Sequence, residues 1–159
     1  MAHLTIKRPD RMRERTVLPP PVVEQDSVVF GAFFGDSNSD LYSYSRDGRC
    51  DGDYLELEDD GRLLVPEGDS LHLHLGWELV PEDGAVVMLV AHESLSEMQV
   101  GLLLDNLPLV YYARKGFEPY LILTNRTGSD WYIAEGEPLV RALIMKPNPL
   151  TVTIQETKL

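Results

Sequence analysis

The stretch "SLHLHLGWELVPEDGAVVMLVA", residues 70–91, decides the fold class. Its first part alternates, so that the leucines fall on one face of an extended strand and His72 and His74 fall on the other. A glycine and the "PEDG" tetrapeptide at residues 81–84 divide the stretch into three strand-sized pieces. The stretch therefore predicts three consecutive strands, the first of which turns its leucines to a core and its histidines to solvent.

The rest of the chain repeats this pattern. Short apolar runs that are rich in β-branched or aromatic residues, such as "SVVFGAFFG" and "PYLILTN", alternate with turn-forming segments such as "EDDG" and "NRTGSD". No window sustains an amphipathic helix of ordinary length, and the best candidate, "AHESLSEMQ", is long enough for a turn or two. The sequence therefore predicts an all-β fold, a sandwich or barrel of many short strands with little helix.

The length of 159 residues predicts one domain with its own core, at residues 27–147. Residues 1–26 before it are basic and rich in proline, and residues 148–159 after it are predicted to form a C-terminal tail strand. We interpret residues 1–26 as an arm that binds an acidic partner surface, with a disordered tail as the alternative. The residues expected to bind are Lys7, Arg8, Arg11, Arg13 and Arg15.

Composition excludes several classes of function. The net charge of −12 argues against nucleic-acid binding, which needs clustered lysine and arginine against phosphate. No apolar run is long enough to cross a bilayer, and the N-terminus lacks the apolar stretch of a secretion signal, so a cytoplasmic environment without membrane contact is predicted. The single cysteine, Cys50, cannot form an intrachain disulfide.

The two strand histidines also raise the question of a metal site. His72, His74 and Glu78 could hold a divalent cation, and "GDSLHLHLGWELVPEDG" resembles the first metal motif of the cupins. The gaps are shorter than those of the cupins, whose second motif needs a further histidine downstream. The one later histidine, His92, follows too closely. We therefore predict surface strand histidines, with neither a metal nor a cofactor.

A second resemblance covers the chain from about residue 39 to residue 145. "SDLYS" is similar to the first motif of the trimeric dUTPase and dCTP deaminase superfamily, with Asp40 in its aspartate position. "EGDSLHLHLGWELVPEDGAVVMLVAHESLS" resembles the passage that leads into the second motif, and "PYLILTNRTGSDWYIAEGEPLVRALIM" resembles the closing passage. This resemblance implies a dUTPase-like distorted β-barrel or jelly-roll-like unit.

The residues at the family's catalytic positions depart from its motifs. His92, Glu93 and Ser94 stand where the second motif has arginine, serine and a small residue that hold the triphosphate. Tyr111 falls near the aspartate position of the third motif, and Arg141 falls at the glutamine position of the fourth. A carboxylate at Glu93 would repel a polyanion, and a phenol cannot serve as a general base at neutral pH without a large perturbation.

Two further departures concern the deaminase branch and the end of the chain. A dCTP deaminase would need a glutamate shortly after Gly116, and the nearest is Glu118, which is followed by a disruptive proline. The glycine-rich C-terminal motif that closes over substrate is replaced by "KPNPLTVTIQETKL". Together these departures predict that the chain is not an enzyme.

The resemblance implies a homotrimer, and aromatic residues such as Phe33, Tyr112 and Trp131 could line subunit contacts or fill the core of one chain. An acidic body with basic arms suits attachment to a lattice. We therefore predict a non-enzymatic virus or phage capsid decoration protein, held on the capsid or another protein lattice by residues 1–26. Its expected location is the virion, after assembly in the host cytoplasm.

Two other functions stay open. The C-terminal "ETKL" places Thr157 two residues before Leu159, which matches a class I PDZ ligand and would make the protein an interaction adaptor. The resemblance also allows an active or nucleotide-binding enzyme of the dUTPase or dCTP deaminase kind.

Overall fold

The structure is a computed structural model that describes residues 2–10, 12, 16–35, 41–44, 57–98, 101–112, 115–148 and 150–156, with the backbone alone at 41–44 and 96–98. Within these ranges the strands are β1 (Leu4–Lys7), β2 (Val22–Glu24), β3 (Ser27–Gly31), β4 (Leu41–Tyr44), β5 (Leu63–Val65), β6 (Ser70–His74), β7 (Glu78–Pro81), β8 (Val86–Ala91), β9 (Leu102–Leu104), β10 (Leu109–Tyr111), β11 (Tyr120–Asn125), β12 (Trp131–Ile133) and β13 (Pro138–Met145). A short helix, α1 (Glu93–Met98), lies between β8 and β9. The predicted all-β class with little helix is confirmed.

Two antiparallel sheets make up most of the domain. The larger has five strands in the order β10-β8-β13-β3-β2, and the other has four strands in the order β4-β6-β11-β9. Two small sheets, β1-β7 and β12-β5, complete the described part of the chain. No helix among the described residues has both the length and the apolar character needed to span a membrane.

The inner faces of the two large sheets share one hydrophobic core. Leu73 of β6 and Leu123 of β11 belong to the same buried cluster as Val87 of β8 and Val140 of β13. Such burial of apolar surface stabilises a fold by roughly 25 cal/mol for each Å² removed from water. The core therefore holds the two sheets together.

The strand β6 has the orientation that its alternation predicts. Leu71 and Leu73 are buried, whereas His72 and His74 are half-buried on the outward face. β6 pairs with β11 in antiparallel register, so that His74 lies opposite Tyr120 and His72 opposite Ile122.

A buried amide organises the turn after β11. The side chain of Asn125 is fully buried, and its Nδ2 donates hydrogen bonds to the carbonyl of Val65 at 2.8 Å and to that of Ser129 at 2.9 Å. Its Oδ1 accepts the backbone N–H of Thr127 at 2.9 Å. These bonds compensate for the loss of water and hold the "NRTGSD" turn against β5.

Much of the predicted arm lies on the body of its own chain. β1 pairs with β7, and β2 adds an edge strand to β3. Between them Met12 and Leu18 are buried in a small cluster with Phe33, and Trp77 donates a hydrogen bond through its Nε1 to the carbonyl of Pro19 at 3.0 Å. Residues 1–26 therefore contribute to the folded domain.

The C-terminal segment differs from the predicted tail strand. Residues 146–148 and 150–156 form no strand, and their side chains are exposed. Pro147 lacks an N–H donor, and the sheet pairings described for β13 end at Met145. The alternating apolar residues Leu150, Val152 and Ile154 thus face solvent.

Truncation of a core leucine should destabilise the domain far more than truncation of a surface leucine on a neighbouring strand. Leu73 is 1% exposed and Leu103 is 43% exposed. We expect Leu73→Ala to lower the free energy of unfolding by about 2–5 kcal/mol, because it removes buried contacts and leaves a cavity. Leu103→Ala should lower it by less than about 1 kcal/mol. Urea unfolding followed by tryptophan fluorescence measures both, and equal losses would contradict the inward orientation of β6.

Candidate functional site

Six residues stand at the motif positions that the dUTPase-like resemblance assigns: Asp40, His92, Glu93, Ser94, Tyr111 and Arg141. Four of these six meet at one place. β8 ends at Ala91, α1 begins at Glu93, and Arg141 of β13 lies opposite Val90 in the sheet register. This register brings the guanidinium of Arg141 to the junction between β8 and α1, where His92, Glu93 and Ser94 follow one another. Asp40, the first-motif position, lies outside the described residues.

The guanidinium of Arg141 is held by two carboxylates and a hydroxyl. Its Nη1 donates to Glu24 at 2.5 Å and to the Oγ of Ser27 at 2.6 Å. Its Nη2 donates to Oε1 of Glu93 at 2.5 Å, and its Nε donates to Oε2 of the same carboxylate at 3.2 Å. The contact with Glu93 is therefore bidentate, the arrangement in which arginine and a carboxylate bind most strongly. We call Glu24, Ser27, Glu93 and Arg141 the arginine cluster.

The pairing perturbs the ionisation of both partners. The hydrogen bond from Arg141 lowers the pKa of Glu93 below its usual range. The hydrogen bonds to Glu93 and Glu24 raise the pKa of Arg141 above its ordinary value. The charged forms of Glu93 and Arg141 are thus both favoured. The Arg141 side chain is only 17% exposed.

His92 supports the beginning of α1. Its Nδ1 accepts the backbone N–H of Ser94 at 3.1 Å and lies 2.8 Å from the Ser94 hydroxyl. Its carbonyl accepts the N–H of Leu95, and its own N–H donates to the carbonyl of Leu139. With Nδ1 accepting a hydrogen bond, the imidazole acts as a cap on the first turn of the helix.

Tyr111 stands apart from the arginine cluster. Its ring packs on that of Phe117, with centroids 3.5 Å apart. Glu118, the nearest glutamate to the deaminase position, lies 3.6 Å from Nδ1 of His74. These contacts give Tyr111 a packing role and direct Glu118 to the outward face of β6.

The candidate metal ligands have other partners. His72 stacks on Tyr120, with ring centroids 5.9 Å apart, and burial lowers the pKa of its imidazole. The carboxylate of Glu78 lies 3.4 Å from the Nζ of Lys7. Nowhere in the described ranges do three His, Cys, Asp or Glu side chains come together in a group that could hold a metal ion.

The structure describes two of the five basic residues of the predicted arm. Lys7 pairs with Glu78, and Nη1 of Arg8 donates to the carbonyl of Thr16 at 2.8 Å. Arg11, Arg13 and Arg15 lie outside the described residues, as do Thr157 and Leu159 of the C-terminal motif.

Sequence reasoning missed Glu24 and Ser27 as members of the site. They are 117 and 114 residues away from Arg141 along the chain. No motif links them to β13, and Glu24 falls within the predicted arm. The β2–β3 pairing brings both residues to Arg141, because Glu24 lies opposite Ser27 in that register.

Comparison with known structures identifies the fold. The chain resembles a mutant of the dUTPase of Staphylococcus bacteriophage 80alpha, with a TM-score of 0.57, 9% sequence identity and coverage of 98% of both chains. It also aligns with EIAV dUTPase at a TM-score of 0.46 and 14% identity, over 73% of this chain and 96% of that one. The sequence itself matches no protein-family model and no curated protein. The chain therefore has a dUTPase-like fold, as the order of its motifs predicts.

The ion pair between Glu93 and Arg141 should make stability depend on pH in a defined direction. Because the pKa of Glu93 is lowered in the folded state, the pair stabilises the fold above the ordinary carboxyl value of 4.5 and ceases to do so as the pH falls through the lowered value. We expect Glu93→Gln to be less stable than the unmodified chain at pH 7, with the difference shrinking as the pH falls below 4.5. Urea unfolding across this range measures the difference.

A matched control for this prediction is Glu156→Gln, because Glu156 lies in the exposed C-terminal segment. It makes the same chemical change away from the arginine cluster and should leave stability unaltered throughout the range. A Glu93→Gln difference that persisted unchanged at pH 3 would contradict an ionic origin.

Proposed function

We propose that this protein is a non-enzymatic, homotrimeric decoration protein, which uses a dUTPase-like scaffold to attach to a virus or phage capsid or another protein lattice. The observation that carries the proposal is the arginine cluster. Arg141, the cation at the family's fourth-motif position, is held by Glu24 and Glu93, so its charge is satisfied within the chain.

The cluster is unsuited to hold a triphosphate. An incoming polyanion would face the carboxylates of Glu24 and Glu93, whose side chains are 47% and 56% exposed. Two like charges 4 Å apart repel by roughly 1–4 kcal/mol between bulk water and a protein surface, and a triphosphate carries several charges. Phosphate binding at this place therefore requires the two internal ion pairs to break first.

The residue near the expected position of the catalytic base is also unsuited to catalysis. Tyr111 stands near the aspartate position of the third motif, and its phenol offers no carboxylate that could act as a general base. Its contact with Phe117 is one of packing. Water activation at this place lacks the carboxylate that the resemblance implies.

Attachment to a lattice fits the distribution of charge. The chain carries a net charge of −12, while five of its cations fall between residues 7 and 15. In the proposed assembly Arg11, Arg13 and Arg15 contact the acidic partner surface, and Met12 and Leu18 hold their segment on the domain. The proposed location is the virion, following assembly in the host cytoplasm.

Two observations favour a binding function of another kind. The phage dUTPase of similar fold belongs to a study reporting that phage dUTPases control transfer of virulence genes by a proto-oncogenic G protein-like mechanism. Residues 150–156, which precede "ETKL", are exposed, as an extended peptide ligand requires. The second candidate is therefore an adaptor that binds a partner through its C-terminus.

Removing the carboxylates of the arginine cluster should create an anion site. We expect the unmodified chain to release no pyrophosphate from any common deoxynucleoside triphosphate with Mg²⁺, and to show no binding by calorimetry. The double variant Glu24→Gln/Glu93→Ser should bind these triphosphates with a Kd on the order of millimolar, because Arg141 becomes available for charge-assisted hydrogen bonds. Adding Arg141→Gln should abolish that gain. Pyrophosphate release by the unmodified chain would refute the non-enzymatic assignment.

Reversal of charge in the arm should abolish attachment without disturbing the fold. The triple variant Arg11→Glu/Arg13→Glu/Arg15→Glu retains the buried anchors Met12 and Leu18. We expect its loss from particles of the native source in co-sedimentation, because repulsion replaces attraction. Removal of Leu159 is the matched test of the C-terminus and should leave co-sedimentation unchanged. Retained binding by the triple variant would refute the arm, and loss on removing Leu159 would favour the adaptor.

A further inference from the structure

The proline-rich segment that precedes β2 lies against the body of its own chain. The indole N–H of Trp77 donates a hydrogen bond to the carbonyl of Pro19 at 3.0 Å. Leu18 is buried in a small cluster with Phe33, and the ring of Trp77 packs against that cluster. We call the surface that receives the segment, formed by Phe33, Gly76 and Trp77, the Trp77 site.

Gly76 lets two apolar side chains lie directly on the backbone between β6 and β7. Its φ of +89° falls in the left-handed region that favours glycine. A Cβ on this residue would lie 2.8 Å from the ring of Phe33 and 3.0 Å from Cδ2 of Leu18. The backbone at this place is therefore shaped to receive the leucine side chain of the segment.

The sequence of the segment restricts its backbone to the polyproline II conformation. Each proline ring fixes φ at about −65°, and a following proline excludes the helical region for the residue before it. Leu18 is followed by Pro19, Pro20 and Pro21, so both limits act along the segment. Such a chain has no internal hydrogen bonds, and its carbonyls are open to any donor that lies beside them. A single indole N–H can therefore bind it without competing with secondary structure.

The contacts at the Trp77 site are those by which folded domains bind separate proline-rich peptides. In that mode of binding the ligand lies on aromatic side chains, and its stiffness limits the entropy that is lost. Trp77 supplies both the aromatic surface and the donor, because the N–H of a half-buried indole needs an acceptor. Leu18, which is 7% exposed, fills the apolar space beside it.

The segment is separable from the main core. Leu18 and Phe33 belong to a buried cluster distinct from the one that joins the two large sheets. The three prolines lack the N–H with which a strand bonds to a sheet, and Val17 and Pro20 are exposed. Local opening of a short segment with few bonds costs less free energy than unfolding of the domain.

We propose that the Trp77 site is a binding site for proline-rich peptide segments, and that residues 18–21 occupy it as a ligand from the same chain. The ligand class is an apolar residue followed by two or more prolines, the order found in Leu18, Pro19 and Pro20. A segment of this kind on another protein binds by displacing residues 18–21. This binding requires neither the proposed capsid attachment nor a particular number of copies.

The test opens the Trp77 site and supplies its ligand as a separate peptide. Leu18→Ala removes the side chain that fills the site and leaves Phe33, Gly76 and Trp77 in place. The probe is the end-blocked peptide TVLPPPVV, which copies residues 16–23, and the readout is the indole N–H resonance of Trp77 in nitrogen-15 NMR spectra.

We expect Leu18→Ala to bind the peptide with a Kd on the order of 0.1 mM. The unmodified chain should bind it roughly tenfold more weakly, because the tethered segment competes at an effective concentration in the millimolar range. The indole resonance of Trp131, which lies on β12, is the internal control and should not move.

Two comparisons test the chemistry of the site in the Leu18→Ala background. The peptide TVLGGGVV keeps the leucine and loses the stiff backbone, so it should bind roughly tenfold more weakly than TVLPPPVV. Adding Trp77→Phe keeps an aromatic ring and removes the donor, and it should weaken binding of a fluorescently labelled TVLPPPVV about fivefold, measured by anisotropy. Equal affinity for the two peptides would overturn the assignment to proline-rich ligands.

A second variant opens the site by another route. Pro19→Gly/Pro20→Gly/Pro21→Gly keeps Leu18 but gives the unbound segment more conformational freedom, which weakens its competition. Both variants should retain the far-ultraviolet circular dichroism spectrum of the unmodified chain and bind TVLPPPVV. A folded variant that fails to bind the peptide would overturn the proposal. Loss of the fold in both variants would also overturn it, because residues 18–21 would then be part of the core and not a ligand.

Discussion

The pairing of β13 with two neighbours at once is the constraint on which the rest of the structure depends. β13 bonds to β3 on one side and to β8 on the other, with Arg141 opposite Val29 and Val90. This register carries the guanidinium to Glu24 beyond β3 and to Glu93 beyond β8. A slip of one residue would turn Arg141 into the core and place Ala142 outside. The arginine cluster therefore follows from this one register.

The parts of the fold that could be predicted are those with local causes. The leucines of β6 are buried because alternation has the same period as the pleat of a strand, and the "PEDG" and "NRTGSD" segments turn because of the residues they contain. The similarity to the dUTPase motifs rests on the order of such strands and turns, which is why it predicted the fold. The short helix α1 likewise falls within the segment that offers the best helical pattern.

The parts that could not be predicted depend on contacts between distant residues. Arg141 is a visible departure from the fourth motif, but its partners Glu24 and Ser27 carry no local signal. The prolines and arginines of residues 1–26 favour an extended arm by their own chemistry, whereas the burial of Met12 and Leu18 requires Phe33 from another part of the chain. Local composition predicts how a segment would behave alone, whereas the arginine cluster forms from distant residues that the sheet pairing brings together.

The closure of the arginine cluster is the physical basis of the proposed absence of catalysis. An arginine with unused donors would attract anions, and its desolvation would be strongly unfavourable. Glu24, Ser27 and Glu93 reach Arg141 from β2, β3 and the beginning of α1, and together they satisfy its donors. The same contacts that satisfy the guanidinium therefore obstruct a triphosphate, because two carboxylates face the one cation. Anion binding at this place therefore depends first on removing the carboxylates of Glu24 and Glu93, which occupy the donors of Arg141.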